Sequence, residues 1–354
     1  MSDDAKTPSF PSRYSQAGVD IQGHDRLIEA IGEMARRVSG PEVLAGVGGF
    51  SGLFDLSPFG GGELVLAAGA DGVGTKVKIA CLLDKHDTVG IDLVAMNVDD
   101  VVCCGARPLF FLDYIALGSL SPETVMSIVS GVVRGCEMAG CALLGGETAQ
   151  MPGLYPPGEY DLAGFAVGLV SRKDIVDGRR IIPGDILVGL FSSGLHSNGF
   201  SLVRRVLLEE GRMKLEAPFA DTGRTLGEEL LEPTRIYCRA VLKLKEHLDV
   251  KGIAHITGGG ITGNLPRILP KGVAARIDRG SWEVPPVFRL VKKVGRIDDG
   301  EMFSVFNMGI GMILVLSEKD VAEALNILQS LGFGANVIGT TVPGGREVLY
   351  DPPL

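Results

Sequence analysis

No C-x-x-C pair occurs among the six cysteines, and the five histidines show no ligand-like spacing to them, so a zinc site is not expected. Basic residues are outnumbered: 34 Lys and Arg against 43 Asp and Glu leave a formal net charge of −9. That balance argues against a nucleic-acid surface, which needs a basic patch. No apolar run is long enough to span a bilayer. The N-terminal Met1-Ser2-Asp3-Asp4 is polar and acidic, unlike a signal peptide. These absences point to a reduced, cytoplasmic setting in which the thiols, adjacent Cys103-Cys104 included, are buried fillers. There is no Gly-X-Y period and no low-complexity tract, which removes collagen-like and disordered classes.

Glycine, by contrast, is abundant: 50 of 354 residues, about twice the average share of roughly 7%. It clusters beside acids, Lys and Ser, in Asp71-Gly72-Val73-Gly74-Thr75-Lys76, Gly145-Gly146-Glu147-Thr148, Ser192–Gly199 and Thr257-Gly258-Gly259-Gly260. Bare N–H groups in such turns form anion sites. An acidic chain that binds phosphate must offset like-charge repulsion, and two means are expected, backbone amides and a divalent cation held by carboxylates.

The length suggests two domains, and strands alternate with helices throughout, which indicates an α/β or α+β protein. Asp25 is read as the cap of a helix carrying Leu27, Ile31 and Met34, ended by Gly40-Pro41. Leu64–Ala68, Phe110–Leu117, Ala142–Leu144, Leu162–Val170, Asp185–Phe191 and Gly309–Leu316 read as strands. Helices are expected from Lys78, over Asp92–Cys104, from Ser121-Pro122 to about Ala139, over Phe200–Glu210 and over Arg235–Leu248. The polar stretch Arg172–Gly184 carries turn signals, so the domains are placed at residues 1–174 and 175–354.

Asp71–Lys76 has the parts of a phosphate and metal site without the spacing of a P-loop or a dinucleotide fingerprint; a tight turn with a solvated Lys is an equal alternative. Asp92 and Asp99 are seven positions apart and share a helix face. Asp92 reads as an N-terminal helix acid, while Asp99 or Asp100 is the better Mg²⁺ ligand. Glu147 stands on an expected glycine turn, as a third ligand, a substrate contact or a structural carboxylate. Ser192–Gly199 can bind an anion ahead of a helix; His196 within it is more readily a loop brace than a proton shuttle.

The ordered motifs resemble a known family. They are Tyr14-x-x-Ala17-Gly18-Val19-Asp20, Gly46-Val47-Gly48-Gly49-Phe50, Asp71–Lys76, Gly90–Met96, Pro108–Tyr114 and Gly145–Ala149 with Met151-Pro152-Gly153. The second half adds Ser192–Gly199, Glu232-Pro233-Thr234-Arg235-Ile236-Tyr237, Ala254–Gly260 and Phe306-Asn307-Met308-Gly309. Together they are similar to the phosphoribosylformylglycinamidine cyclo-ligases, or aminoimidazole ribonucleotide synthetases, over nearly the whole chain. The resemblance implies a ligase of purine biosynthesis that uses ATP and Mg²⁺ to close the imidazole ring of formylglycinamidine ribonucleotide. It implies a homodimer in which the N-terminal domains pair their sheets into a barrel, with a C-terminal α/β domain.

By position, the resemblance makes Asp71, Asp100 and Glu147 the metal carboxylates, with Lys76 offsetting γ-phosphate charge and His196 in the catalytic group. Gly48, Gly49, Gly72, Gly74 and Thr75 would hold the nucleotide. Gly146, Glu147, Thr148, Ser193, Asn198, His255 and Thr257 would contact substrate. The chain departs from the family pattern at Asp99, where Asn is usual, at Arg107 and Gln150, where Glu is usual, and at Ser15 and Gly32, where basic residues are common. Two superfamily alternatives fit less well. Formylglycinamidine ribonucleotide synthetase normally needs a longer chain, and selenophosphate synthetase a reactive Cys near the N-terminus, whereas the first here is Cys81. A nucleotide-binding scaffold without catalysis is the reading from another class.

Overall fold

The computed structural model describes residues 12–19, 21–119, 121–220 and 222–354, without the side chains of Ile21, Gln22, His24 and Asp25. The first sheet comprises β1 (Val43–Ala45), β2 (Gly52–Asp55), β3 (Leu64–Gly72), β4 (Arg107–Leu117), β5 (Ala142–Gln150) and β6 (Tyr160–Ser171). Their order is β1-β2-β3-β6-β4-β5, antiparallel except for the parallel pair β4–β5. Among the described residues, helices cover one face of this sheet. Val65 and Ala67 of β3 are buried on that side, while Ala68 and Ala70 open to the other.

The covering helix Val89–Cys103 is apolar almost all round and buried along nearly its whole length, as a helix wedged between two layers must be. The helix Pro122–Ala139 lies against it. Ser121 caps this second helix by accepting from the Thr124 N–H at 3.2 Å, and Gly140 ends it in the left-handed conformation. The two helices touch through glycine: a Cβ on Gly90 would stand 2.3 Å from the Val132 nitrogen.

The second half contains β7 (Ile186–Phe191), a small hairpin of β8 (Pro218–Phe219) and β9 (Arg224–Thr225), β10 (Gly252–His255), β11 (Val273–Asp278), β12 (Ile310–Leu316), β13 (Ala335–Pro343) and β14 (Val348–Asp351). Six of them form a sheet in the order β10-β12-β7-β13-β11-β14. β12 is buried at every residue, and β10 packs beside the helix Val89–Cys103. That contact joins the halves and sets the position of His255.

Several sequence expectations change. Gly145-Gly146-Glu147-Thr148 is not a turn: β5 continues as an extended strand to Gln150, because pairing with β4 fixes its backbone. The expected helix over Phe200–Glu210 is α-helical only to Val203 and continues with π-type hydrogen bonding. The first long helix, Ile21–Ala35, ends in a 3₁₀ turn before Gly40-Pro41, and its Leu27 and Met34 are exposed. The capping role read for Asp25 falls within that helix, on a side chain outside those described.

Candidate functional site

At its C-terminal end β3 delivers Asp71 toward the helix side of the sheet, next to Asp100 near the end of the buried helix. The Gly72 N–H donates to Asp71 Oδ1 at 2.7 Å, and Asn97 Nδ2 donates to the Asp71 carbonyl at 3.2 Å. Desolvation, then repulsion from Asp100, raise the pKa of Asp71 to about 6, although one edge of the residue meets solvent. Asp100 Oδ1 lies 2.8 Å from Nδ1 of the fully buried His255. Burial works against protonation of this ring, but the hydrogen bond to Asp100 and the charges of Asp100, Asp99 and Asp71 outweigh it and raise the pKa. His255 Nε2 has no partner among the described residues. The structure therefore brings together two hard oxygen donors and one imidazole. Carboxylate oxygens of this kind suit Mg²⁺, which commonly takes one or two carboxylates and completes its shell with phosphate and water. Among the described residues no three His, Cys, Asp or Glu side chains form a ready cage.

Lys76 does not face this cluster. Its ammonium is fully buried, 2.8 Å from Asp92 Oδ1 and 2.6 Å from the Glu232 carbonyl. Burial lowers its pKa, and Asp92 works in the opposite direction. The γ-phosphate contact expected for Lys76 is not displayed here: the ammonium is held by a buried carboxylate and a carbonyl and points at neither solvent nor Asp71. The reading of Asp92 as a plain helix-terminus acid is corrected. Asp92 does lie in the first helical turn, but its Oδ1 also accepts from the Thr234 N–H and Oγ1, both at 2.7 Å, and from Ser197 Oγ at 3.2 Å. One turn pair further on, Asp99 Oδ1 accepts from the Tyr237 N–H at 2.8 Å and from Cys238 Sγ at 3.3 Å. Desolvation raises the pKa of Asp99 to about 7. Thus Asp92 and Asp99 grip the segment Glu232–Cys238 of the second half, and only Asp100 turns toward Asp71. Sequence reading missed Thr234 and Ser197. The one available signal was that two acids on a buried helix face demand partners.

The loop Ser192–Gly199 closes the other side. His196 sits at φ +62° and accepts from the Ser193 N–H through Nε2 at 3.2 Å. Burial, with the nearby positive charges of His255 and Lys76, holds its pKa well below the usual value. It braces the loop as a neutral ring, and its Nδ1 has no partner among the described residues. Ser193 Oγ donates to the Pro233 carbonyl at 2.6 Å, and Asn198 lies against Gly258, where a Cβ would meet its Oδ1 at 3.3 Å. Thr257 Oγ1 donates to Asn264 Oδ1 at 3.5 Å, and Asn264 Nδ2 donates to the carbonyls of Gly258 and Gly260. Thr75 Oγ1 is 3.0 Å from Ser201 Oγ.

On the open face, the glycine stretch containing Gly48 and Gly49 arches over Ala68 and Ala70 and encloses a cavity of about 580 Å³. Gly48 has φ +112°, a conformation that favours glycine. Ser51 Oγ ties this loop to the Asp100 carbonyl at 3.0 Å, and Phe50 stacks under the Arg267 guanidinium, 5.3 Å from the ring centroid.

Glu147 is not brought to Asp71 and Asp100 within one chain. Register runs Gly72–Ala163–Tyr114–Glu147 across the sheet, three strand spacings or about 14 Å. Glu147 also shares the open face with Tyr114, the face opposite to that of Asp71, since side chains alternate along a strand. Within one chain it therefore stands apart from Asp71 and Asp100. Gly146 and Thr148 flank it on the exposed edge strand.

Comparison with known proteins matches residues 52–170 to AIR synthase related protein, N-terminal domain, and residues 183–352 to AIR synthase related protein, C-terminal domain. A phosphoribosylformylglycinamidine cyclo-ligase of Myxococcus xanthus is 54% identical over 96% of this chain and 99% of its own length. One from Bacillus cereus is 52% identical over 94% and 96%. Two solved structures share the fold at low identity. A thiamine-monophosphate kinase from Stenotrophomonas maltophilia has a TM-score of 0.61 at 20% identity, covering 90% of this chain and 94% of its own. The hydrogenase maturation protein HypE in complex with ATP has a TM-score of 0.59 at 18%, covering 89% and 88%. The chain belongs to the phosphoribosylformylglycinamidine cyclo-ligase family and is an enzyme of the ligase class.

Proposed function

We propose that this member of the cyclo-ligase family closes the ring of formylglycinamidine ribonucleotide to give aminoimidazole ribonucleotide in purine biosynthesis, with ATP converted to ADP and phosphate. The observation that carries the reading is the identity of 54% to a named cyclo-ligase across its full length, and the convergence of Asp71, Asp100 and His255 at the junction of the halves agrees with it. The substrate's formyl amide oxygen is phosphorylated by ATP, and the substrate's own nitrogen then displaces phosphate. An amide oxygen leaves poorly and a phosphate leaves well, so the protein's task is positioning and charge neutralisation.

Asp71 and Asp100 would hold Mg²⁺, which when bound supplies charge neutralisation to the triphosphate. Gly48 and Gly49 at the loop cavity, and Gly72, Gly74 and Thr75 at the end of β3, offer amides and a hydroxyl to the nucleotide. Use of ATP is supported by the fold shared with HypE, whose structure contains ATP. Ser193, Asn198, His255 and Thr257 line the substrate side, with His255 donating or accepting through its unpartnered Nε2. Gly146, Glu147 and Thr148 act from the open face, which is where a second copy docks to make the homodimer. The division of labour falls at residues 174 and 175, and the setting is the cytoplasm. Among the described residues no helix is long and apolar enough to cross a membrane.

The test is ADP release from Mg²⁺-ATP by purified protein with and without formylglycinamidine ribonucleotide. Release that requires the ribonucleotide and yields the imidazole product is expected. No release under either condition would favour the nucleotide-binding scaffold.

A further inference from the structure

A second cavity, of about 970 Å³, lies where the two halves meet, and Asp71, Asp100 and His255 take no part in its lining. Its walls come from both halves: Arg107 and Lys173 from the first, Arg239 and Lys245 from the helix Cys238–His247 of the second. Buried Val170, Val176, Leu248 and Val250 form the floor, and exposed Arg107, Lys173 and Arg239 with half-buried Lys245 form the rim.

The charges of this rim are unbalanced. Arg180 pairs with Asp249, and Lys243 with Glu246. Arg107 and Lys173 have no carboxylate partner among the described residues. Arg239 donates to the Glu137 carbonyl, and Lys245 to the carbonyls of Gly105 and Asp174 at 2.7 and 3.0 Å. Carbonyls hold a cation in place without cancelling its charge. Lys245 has the Asp174 charge nearby, so Arg107, Lys173 and Arg239 are the three rim cations left without a carboxylate among the described residues, on a chain whose net charge is −9.

We propose that this cleft binds a phosphorylated heterocycle of nucleotide size, with the ring on the apolar floor and the phosphates against Arg107, Lys173 and Arg239. The volume is in the range of small-molecule sites, roughly 300–1,000 Å³. Guanidinium groups suit phosphate because they donate in pairs. Since the recognising charges are cationic, binding here needs no metal ion, in contrast to the Asp71 and Asp100 site. This inference stands apart from the reading of the catalytic site and fails or survives separately.

The experiment is titration calorimetry of the full chain with ADP in excess chelator. One metal-independent ADP per chain is expected, unaffected by Asp71→Asn and weakened at least tenfold by Arg107→Glu. Arg107 is exposed and has no carboxylate partner among the described residues, so the variant should fold and turn over within about twofold of the wild type. Pyrophosphate, which lacks the ring, should bind more weakly than ADP. Absence of metal-independent ADP binding, or ADP binding unchanged both by Arg107→Glu and by the double variant Arg107→Glu/Lys173→Glu, would overturn the site. Equal affinity for pyrophosphate and ADP would overturn the assignment of a ring to the floor.

Discussion

Asp71 and Asp100 stand close enough to repel, and a divalent cation is the natural relief of that repulsion. Asp71→Asn removes one donor and should raise the Mg²⁺-ATP requirement at least tenfold, about 1.4 kcal/mol; unchanged steady-state kinetics would take Asp71 out of the site. Because the Asp71 pKa is raised to about 6, protons compete with the metal, and the apparent affinity for Mg²⁺-ATP should fall as pH drops through 6. Asp99 gives a test of stability. Its folded pKa, about 7, lies above the ordinary carboxylate value of 3.8, so the native state holds the proton more tightly. Its contribution is most favourable below pH 4 and is lost as pH rises toward 7. In chelator, Asp99→Asn should raise the melting temperature by a few degrees at pH 8 and change it little at pH 5, because Asn keeps the acceptor for the Tyr237 N–H without the buried charge. An equal effect at both pH values would contradict this. The helical period alone put Asp92 and Asp99 on one face. It could not name Thr234 and Tyr237, which lie 142 and 138 positions away.

At the scale of elements, the buried helix is positioned by small residues. Gly90 meets Val132 and Gly131 meets the Asp87 carbonyl, where added Cβ atoms would come within 2.3 and 2.5 Å of backbone. Gly90→Ala therefore should cost about 1–3 kcal/mol of stability by overpacking, read by urea denaturation, and should slow turnover through displacement of Asp100. A neutral result would mean that the helices can separate freely. The helix starting at Pro122 was legible because its cap, its proline and its terminal glycine are all local signals. β5 was not. Glycines at 145 and 146 suggested a turn, and only the parallel partner β4 holds them extended.

For the whole molecule, the uncovered face of the first sheet is the outstanding feature. Phe165 is 44% exposed on it and Leu144, on the edge strand, 63%. Apolar surface of this kind is characteristic of association sites, and the proposed homodimer would cover it by a twofold contact of the same face on both copies. Sedimentation should show a dimer of the full chain, and Leu144→Asp/Phe165→Asp should yield a folded monomer with weakened activity. A wild-type monomer at micromolar concentration would remove the dimer from the account.

The sequence by itself determined the family and the alternation of strands and helices, since motif order and hydrophobic period are properties of neighbours along the chain. Tertiary structure decided what each charged group does. Lys76 sits in a glycine-flanked turn that resembles a phosphate site, yet its ammonium is consumed by Asp92 and the Glu232 carbonyl. Glu147 resembles a ligand, yet register places it three strands away on the other face. Burial and cross-domain pairing set the fate of a charge, and both come from residues far apart in the chain.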